Sequence, residues 1–296
     1  MTRGIARVAL WPVFVAASAA AYAWALAHGG SALGVAFAIP AAQILVLLLL
    51  EGWLPGDARG GAWRDPALAS DLAHVGLGNV VGGALGEALL LAALALAAGG
   101  LGAAAGAALW PRGWPFAAQA ALVVLLADGL DVLRHRAMHA SPRAWRVHAV
   151  HHAGDRLHAL KAGRNHFLDV ASRGLLVFAP LALAGAPREV LLAYPAAVAV
   201  LGPIAHANLE LRIPAWLHRI ALTPAVHRLH HARCRELAGH NYANVLPLWD
   251  LLLGSFLDPA ACGRPACGLD DDPNPPGFWA QVAAPLGAGR GPRRSA

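Results

Sequence analysis

Long apolar segments constrain the fold of this chain more than any other feature. A helix that crosses a membrane needs about 20 largely apolar residues. Four segments meet this requirement, at 7–27, 31–50, 76–99 and 115–134. Only 14% of the 296 residues are charged, whereas soluble proteins average about 25%. The sequence therefore predicts an all-α integral membrane protein with about four transmembrane helices.

A fifth apolar region, 174–209, is interrupted by the sequence AGAPRE at 184–189. It fits either two full spans or, as we expect, a hairpin of two short helices that dips into the membrane and returns. The first segment also fits a signal peptide, because Arg3 and Arg7 precede an apolar core and small residues near 17–21. Cleavage there would leave the orientation of the later segments unchanged.

Basic residues in the short loops predict which side of the membrane each loop occupies. Arg and Lys concentrate in cytoplasmic loops; eight of them lie in 134–173 and two in 51–75, whereas the loops near 28–30 and 100–114 carry only Arg112. We therefore expect the histidine-rich part on the cytoplasmic side of a bacterial inner membrane, as a helical cap. The net charge of +6 indicates topology and anionic lipid contact rather than a nucleic acid partner, because no basic run is interleaved with aromatic residues.

The composition divides the chain into three parts. Residues 1–114 hold the N-terminal transmembrane helices, and 115–258 hold almost all the histidines. The tail 259–296 is rich in Pro, Gly and Arg, which predicts a loosely ordered segment.

Histidines in the central part are grouped at ligand-like spacing. Thirteen of the 15 lie between 135 and 240. Eight of them form three boxes: His135 and His139; His148, His151 and His152; His227, His230 and His231. Residues at i, i+3 and i+4 share one face of a helix, so these imidazoles can converge. Without a metal such clusters would be costly to bury and would repel one another when protonated.

The number of imidazoles suggests two metal ions, since eight exceed what one tetrahedral ion can use. Cys234, Cys262 and Cys267 lack the spacing of a structural zinc site. Imidazole suits Fe, Zn, Cu and Ni alike, so the ligands alone do not choose the metal.

Beyond the boxes, further motifs follow in a fixed order. Asp128 precedes the first box and Trp145 precedes the second, and His206-Ala-Asn208 follows the broken apolar region. The chain then has Thr223-Pro224 before the third box, Asn241-Tyr242 after it, and Trp249-Asp250-x3-Gly254. Over about 125–258 this pattern resembles the fatty acid hydroxylase/sterol desaturase superfamily of membrane di-iron oxygenases.

The resemblance implies two iron ions bound by the eight box histidines, with His206 as a ninth ligand. Zinc could replace iron in purified protein. The resemblance and the chemistry of imidazole orientation also give four candidates that support the ligands: Asp128, Asp169, Asn208 and Asn241. Asp131 is an alternative to Asp128, and a surface pair with Arg164 is an alternative for Asp169. We expect His158, His166, His218 and His240 at the surface or around the ligands.

This chain departs from the family pattern in two places. It has GLDVL where an aromatic-rich stretch often precedes the first box, and Arg164-Asn-His166-Phe-Leu-Asp169 lacks the proline of the R-x-H-P-x-E/D element.

The family's chemistry implies an O2-dependent hydroxylase of C–H bonds in a fatty acyl, sterol or other hydrophobic substrate. A desaturase using the same site is the alternative. Electrons would come from an external ferredoxin, a cytochrome b5-like protein or a reductase, because the sequence has no dinucleotide fingerprint and no haem or iron–sulfur motif. A non-catalytic metal transporter is disfavoured, since Glu51 and Glu87 are the only acids in or beside the first three apolar segments.

Overall fold

A computed structural model describes residues 2–29, 34–57, 61–101, 109–269, 275 and 277–286. The described residues are helical and contain no β-strand beyond two isolated bridges. In chain order the first α-helices are α1 (Arg3–Ala27), α2 (Ile39–Trp53), α3 (Leu68–Ala73), α4 (Asn79–Leu101), α5 (Phe116–Ala140), α6 (Pro142–His152) and α7 (Phe167–Arg173). Then follow α8 (Ala179–Leu183), α9 (Arg188–Leu191), α10 (Ala193–His206), α11 (Pro224–His230), α12 (Arg235–Ala238), α13 (Leu248–Leu252), α14 (Pro259–Cys262) and α15 (Phe278–Ala283).

Four helical stretches of the described residues are long and apolar enough to cross a membrane. They are Arg3–Ala25, Leu68–Ala98, Phe116–Ala140 and Arg188–His206. Three of them contain most of the predicted segments 7–27, 76–99 and 115–134. The number four is therefore as predicted, but the fourth member differs.

The predicted span 31–50 is a shorter helix in the structure. Residues 31–33 lie outside the described residues, a π-helical turn occupies Gly34–Ala38, and α2 has only 15 residues. Its end is tied to the histidine-bearing part, because Oε1 of Glu51 accepts hydrogen bonds from the backbone N–H groups of Ala159 (2.8 Å) and Asn208 (3.0 Å). The apolar region at 174–209 breaks where expected, between α8 and α9, with Gly185 at a positive φ of 95°. After the break, α9 and α10 together reach the length of a span.

Close backbone contact joins the N-terminal helices to the histidine-bearing part. A Cβ at Gly82 of α4 would lie 2.6 Å from the carbonyl oxygen of Phe167, and one at Gly174 would lie 2.0 Å from the carbonyl oxygen of Gly86. Only glycine permits this approach. Helix α4 thus supports α7, which carries Asp169.

Part of the predicted tail 259–296 lies outside the described residues, namely 270–274, 276 and 287–296. The part that the structure describes contains two short α-helices, α14 and α15, and Gln281 of α15 is buried. Gln281 accepts hydrogen bonds from Ser70 and Arg164, and the carbonyl oxygen of Val282 lies 3.1 Å from Nε2 of His166. Composition could not predict the contacts of Gln281 and Val282, because their partners lie more than 100 positions earlier in the chain.

Candidate metal centre

Nine histidines form two adjacent groups in the structure. The first group contains His135, His139, His148, His152 and His230, and the second contains His151, His206, His227 and His231. Within each group one ligand atom per residue lies within 4.8 Å of all the others. Eight of these nine residues are buried, and His139 is partly exposed. The predicted ligand residues, His206 included, are thus brought together.

Helix geometry explains how the boxes divide between the groups. In the second box His148 and His152, four residues apart, face the first group, whereas His151 faces the second. The third box has the opposite arrangement, since His227 and His231 face the second group and His230 the first. The H-x2-H-H spacing therefore gives each group two rings from one helical turn and one ring from the other box.

Local capping sets where the two box-bearing helices begin. Ser141 and Thr223 are N-cap residues whose side chains accept from the N–H groups of Ala144 (3.4 Å) and Val226 (3.5 Å). Pro142 and Pro224 follow at the first helical position, where no N–H is needed. The Thr-Pro motif thus begins the short helix that carries His227 and His230 and ends at its C-cap residue His231.

The Trp-Asp motif supports the centre from the opposite side. The indole of Trp249 packs against Gly129 of α5, where a Cβ would lie only 2.6 Å from the ring, and its Nε1 donates to Leu125 O at 2.9 Å. Asp250 accepts from the N–H groups of Tyr242 (2.9 Å) and Ala243 (2.8 Å). These contacts fix the loop at 240–243 beside the first group.

Contacts of Nδ1 fix the tautomer of five imidazoles. Each holds Nδ1 within 3.2 Å of an oxygen: His135 at Tyr242 O, His230 at His240 O, His151 at Arg164 O, His206 at Gly202 O, and His148 at Oδ2 of Asp169. Carbonyl and carboxylate oxygens only accept, so Nδ1 carries the proton and Nε2 of a neutral ring presents a lone pair.

These lone pairs point towards one another. Nε2 of His135 lies 2.8 Å from Nε2 of His148 and 3.0 Å from Nε2 of His230. In the second group Nε2 of His206 lies 3.3 Å from Nε2 of His151. Two lone pairs cannot form a hydrogen bond with each other, but a shared cation stabilises both. The donor set therefore fits a metal ion in each group.

Protonation is a poor alternative to a cation. Burial first, and then repulsion by neighbouring imidazolium charge, holds the pKa values of His151, His152, His227 and His231 well below the usual value. Burial and His148 lower the pKa of His230 to about 3. These five rings are therefore neutral at physiological pH, the state that binds metal.

Asp169 is the predicted acid that contacts a ligand. Its Oδ2 lies 2.6 Å from Nδ1 of His148, and its Oδ1 accepts from Arg134 at 2.7 Å. Burial alone would raise the pKa of Asp169, but Arg134 and His148 hold it well below its usual range. The ionised carboxylate thus orients His148. Among the described interactions, the alternative pair of Asp169 with Arg164 is not found.

The hydrogen-bond partners of Asp128 differ from the ligand imidazole that we expected it to contact. Its carboxylate accepts from the N–H groups of Asn244 (3.2 Å), Val245 (3.1 Å) and Leu246 (2.7 Å), and from the hydroxyl of Tyr194. Asp131, the alternative, pairs with Arg134 and Arg173. Both acids hold the chain around the centre rather than a ligand imidazole. Spacing along α5 could not reveal this, because the backbone N–H groups that Asp128 binds lie more than 100 residues away.

Asn208 and Asn241 act on the backbone. Nδ2 of Asn208 donates to Asp57 O at 3.2 Å. Nδ2 of Asn241 donates to Val226 O (3.3 Å) and Leu257 O (3.1 Å), and its own φ is +59°. Asn241 stands between the two residues whose carbonyls accept from His230 and His135, so it shapes the segment that orients those rings.

A cluster of charged residues beside the second group escaped the sequence analysis. His158, which we expected at the surface or around the ligands, is fully buried, with Nε2 3.1 Å from Asp65 and 3.3 Å from Asp71. Lys161 joins the same carboxylates. His166 is also buried. The acidic partners of His158 and Lys161 lie about 90 residues earlier in the chain, so no local spacing could reveal them.

The chain belongs to the fatty acid hydroxylase family, whose model matches residues 120–255, a range that contains all nine clustered histidines. It is 32% identical over 248 residues to the ornithine lipid hydroxylase OlsE of Rhizobium tropici, across 82% of this chain and 73% of that protein. It is also 29% identical over 133 residues to the alkylglycerol monooxygenases of Homo sapiens and Danio rerio, which covers 41% of this chain and 27% of theirs. No solved structure matches the chain. The resemblance drawn from the histidine boxes is thus confirmed, and the chain is an oxidoreductase.

Proposed function

We propose that this protein is a di-iron, O2-dependent hydroxylase that acts on C–H bonds of a membrane lipid. The observation that carries the proposal is the pair of histidine groups whose Nδ1 atoms are hydrogen-bonded outward and whose Nε2 lone pairs converge. Nine imidazoles leave room in the coordination of two ions for O2. Iron bound there supplies the oxygen and C–H chemistry.

Residues of the chain itself place and protect this chemistry. Asp169 holds His148 in the tautomer that presents Nε2. Trp145 packs its ring 4.9 Å from that of His139 and 5.3 Å from that of His152, which shields the first group from water. His135 and His139 continue directly from the apolar part of α5, so a lipid in the membrane can present its carbon to the centre without leaving the bilayer.

The substrate follows from the relative that matches most of the chain. OlsE is named as an ornithine lipid hydroxylase, and the shorter matches are named as alkylglycerol monooxygenases. We propose an ornithine lipid as the first substrate to test. An external electron donor would dock at the face that bears His139 and Trp145, because His139 is the ligand that is not fully buried.

The side of the membrane, the membrane hairpin and the division of the chain into parts belong to the same proposal. We place the histidine groups in a cytoplasmic helical cap of the bacterial inner membrane, since the basic loops flank them. We assign 174–209 to the hairpin that dips into the membrane, and keep the division at 114 and 258 between the N-terminal helices, the catalytic part and the tail.

The test expresses the chain in a bacterium that makes ornithine lipid, and analyses total lipids by mass spectrometry with and without the gene. The proposal predicts a species with one added oxygen atom. A species that has lost two hydrogen atoms instead would indicate desaturation. An oxygenase would be contradicted if the lipid profile is unchanged and the purified protein contains metal but consumes no O2 when a reductant is added. His230→Ala and His151→Ala should abolish the product while His28→Ala, at an exposed position, should not.

A further inference from the structure

The charged cluster beside the second histidine group contains five buried residues: Asp65, Asp71, His158, Lys161 and Arg164. Asp65, Asp71 and His158 alone have a ligand-like arrangement. However, Nζ of Lys161 lies 3.1 Å from Oδ2 of Asp65 and 2.8 Å from Oδ2 of Asp71. Lys161 and Arg164 supply two positive charges for two carboxylates, so the cluster is balanced without a metal.

Arg164 links this cluster to three other parts of the chain. Its guanidinium pairs with Asp71 of α3, and Nη2 donates to Oε1 of Gln281 in α15 at 3.2 Å. Its Nε donates to the carbonyl oxygen of Val150 in α6 at 2.8 Å. A planar guanidinium can satisfy these three directions at once, which an ammonium group cannot.

Both contacts of Arg164 with α6 meet at His151. The carbonyl oxygen of Val150 belongs to the peptide bond that precedes His151, and the carbonyl oxygen of Arg164 lies 3.2 Å from Nδ1 of the His151 ring. One residue therefore holds the backbone of His151 through its side chain and the imidazole through its main chain.

We propose that Arg164 is a positioning residue for the second metal, acting through His151. This inference rests on the proposed two-metal centre. The first group is supported elsewhere, by Asp169 at His148 and by the carbonyls of His240 and Tyr242. Loss of the Arg164 contacts therefore weakens binding of one metal and leaves the other.

The test titrates Co²⁺ alone into the metal-free full-length protein and follows its absorption. The variants are Arg164→Gln and Arg164→Lys, with Arg143→Gln at an exposed position as the control. Removal of a group that orients a ligand typically costs about 10–100-fold in metal affinity. We expect this loss at one of two sites in Arg164→Gln, a smaller loss at the same site in Arg164→Lys, and wild-type binding in Arg143→Gln.

Two outcomes overturn the inference: wild-type affinity at both sites in Arg164→Gln, or an equal loss at both sites, which would indicate a general structural role. If Arg164→Gln does not fold, Arg164→Lys decides by the same criteria. A wild-type protein that binds fewer than two Co²⁺ ions contradicts the proposed two-metal centre instead, so the two failures are distinguishable.

Discussion

Nδ1 of His148 lies 2.6 Å from Oδ2 of Asp169, while Nε2 of the same ring lies 2.8 Å from Nε2 of His135. One imidazole thus connects an ionised carboxylate to the convergent nitrogens of the first group. Arg134 holds the second oxygen of that carboxylate, so Asp169 cannot turn away from the ring without breaking a buried ion pair.

Asp169→Asn should lower the affinity of the first histidine group for its metal ion. The amide can present an N–H to His148 and no longer carries the charge that favours the required tautomer, so we expect about a 10–100-fold lower metal affinity at one site. Co²⁺ titration measures this, and Glu189→Gln at an exposed position is the control. Equal affinity in Asp169→Asn and wild type would show that the carboxylate does not orient the ligand.

Substitution of Asn241 should separate backbone conformation from side-chain contacts. Its φ of +59° suits glycine and asparagine but costs other residues about 1–2 kcal/mol. Asn241→Gly loses the two Nδ2 hydrogen bonds, whereas Asn241→Ala also adds this strain. We expect thermal stability in the order wild type, Gly, Ala. An alanine variant as stable as the glycine variant would contradict the role of the left-handed turn.

Gly129→Ala should destabilise the protein although alanine favours helices. The added Cβ would lie 2.6 Å from the Trp249 indole, and forcing such a contact typically costs about 1–3 kcal/mol. Gly83→Ala in α4 is the matched control, because nothing lies within 4 Å of its Cβ position. Chemical denaturation in detergent compares the two free energies of unfolding, and similar values would show that Trp249 can move away without loss.

His158→Gln should destabilise the protein at low pH, and this loss of stability relative to wild type should become smaller as pH rises. Burial alone would lower the pKa of His158, but the hydrogen bonds to Asp65 and Asp71 raise it above its usual value of 6.5. Protonated His158 therefore stabilises the fold below about pH 6.5, and this contribution disappears as pH rises through the raised pKa. The charges of Lys161 and Glu51 also interact with this cluster. Both residues are present in wild type and in the His158→Gln variant, so they do not account for a difference between the two.

The measurement is the difference in Tm between wild type and His158→Gln from about pH 6 upwards. We expect a penalty that shrinks with increasing pH. A penalty that is constant or grows would mean that His158 is neutral in the folded state throughout.

Local spacing predicted the clustering of the box histidines well, because the geometry of a helical turn is local. His148, His151 and His152 are placed by one helix, so their convergence is visible in the sequence. His206 needed the family pattern, since it stands alone at the end of α10.

The groups that support the ligands were harder to predict because their partners are distant in sequence. Asp128 and Asp169 both looked able to orient an imidazole, yet only the packing of α7 against α6 brings Asp169 to His148. The contacts of Asp71 with Lys161 and Arg164 join residues 90 and 93 positions apart. The contacts of Glu51 at the end of α2 were likewise invisible in the sequence, because the N–H groups that it binds belong to Ala159 and Asn208, more than 100 residues away.

The most direct test of the two-metal oxygenase follows the oxygen atom itself. Cells that express the chain are grown under isotopically labelled O2, and the modified lipid is analysed by mass spectrometry. The account predicts one labelled oxygen atom per hydroxylated lipid, which disappears in His230→Ala. A hydroxyl oxygen that comes from water, with the label absent in wild type, would contradict it.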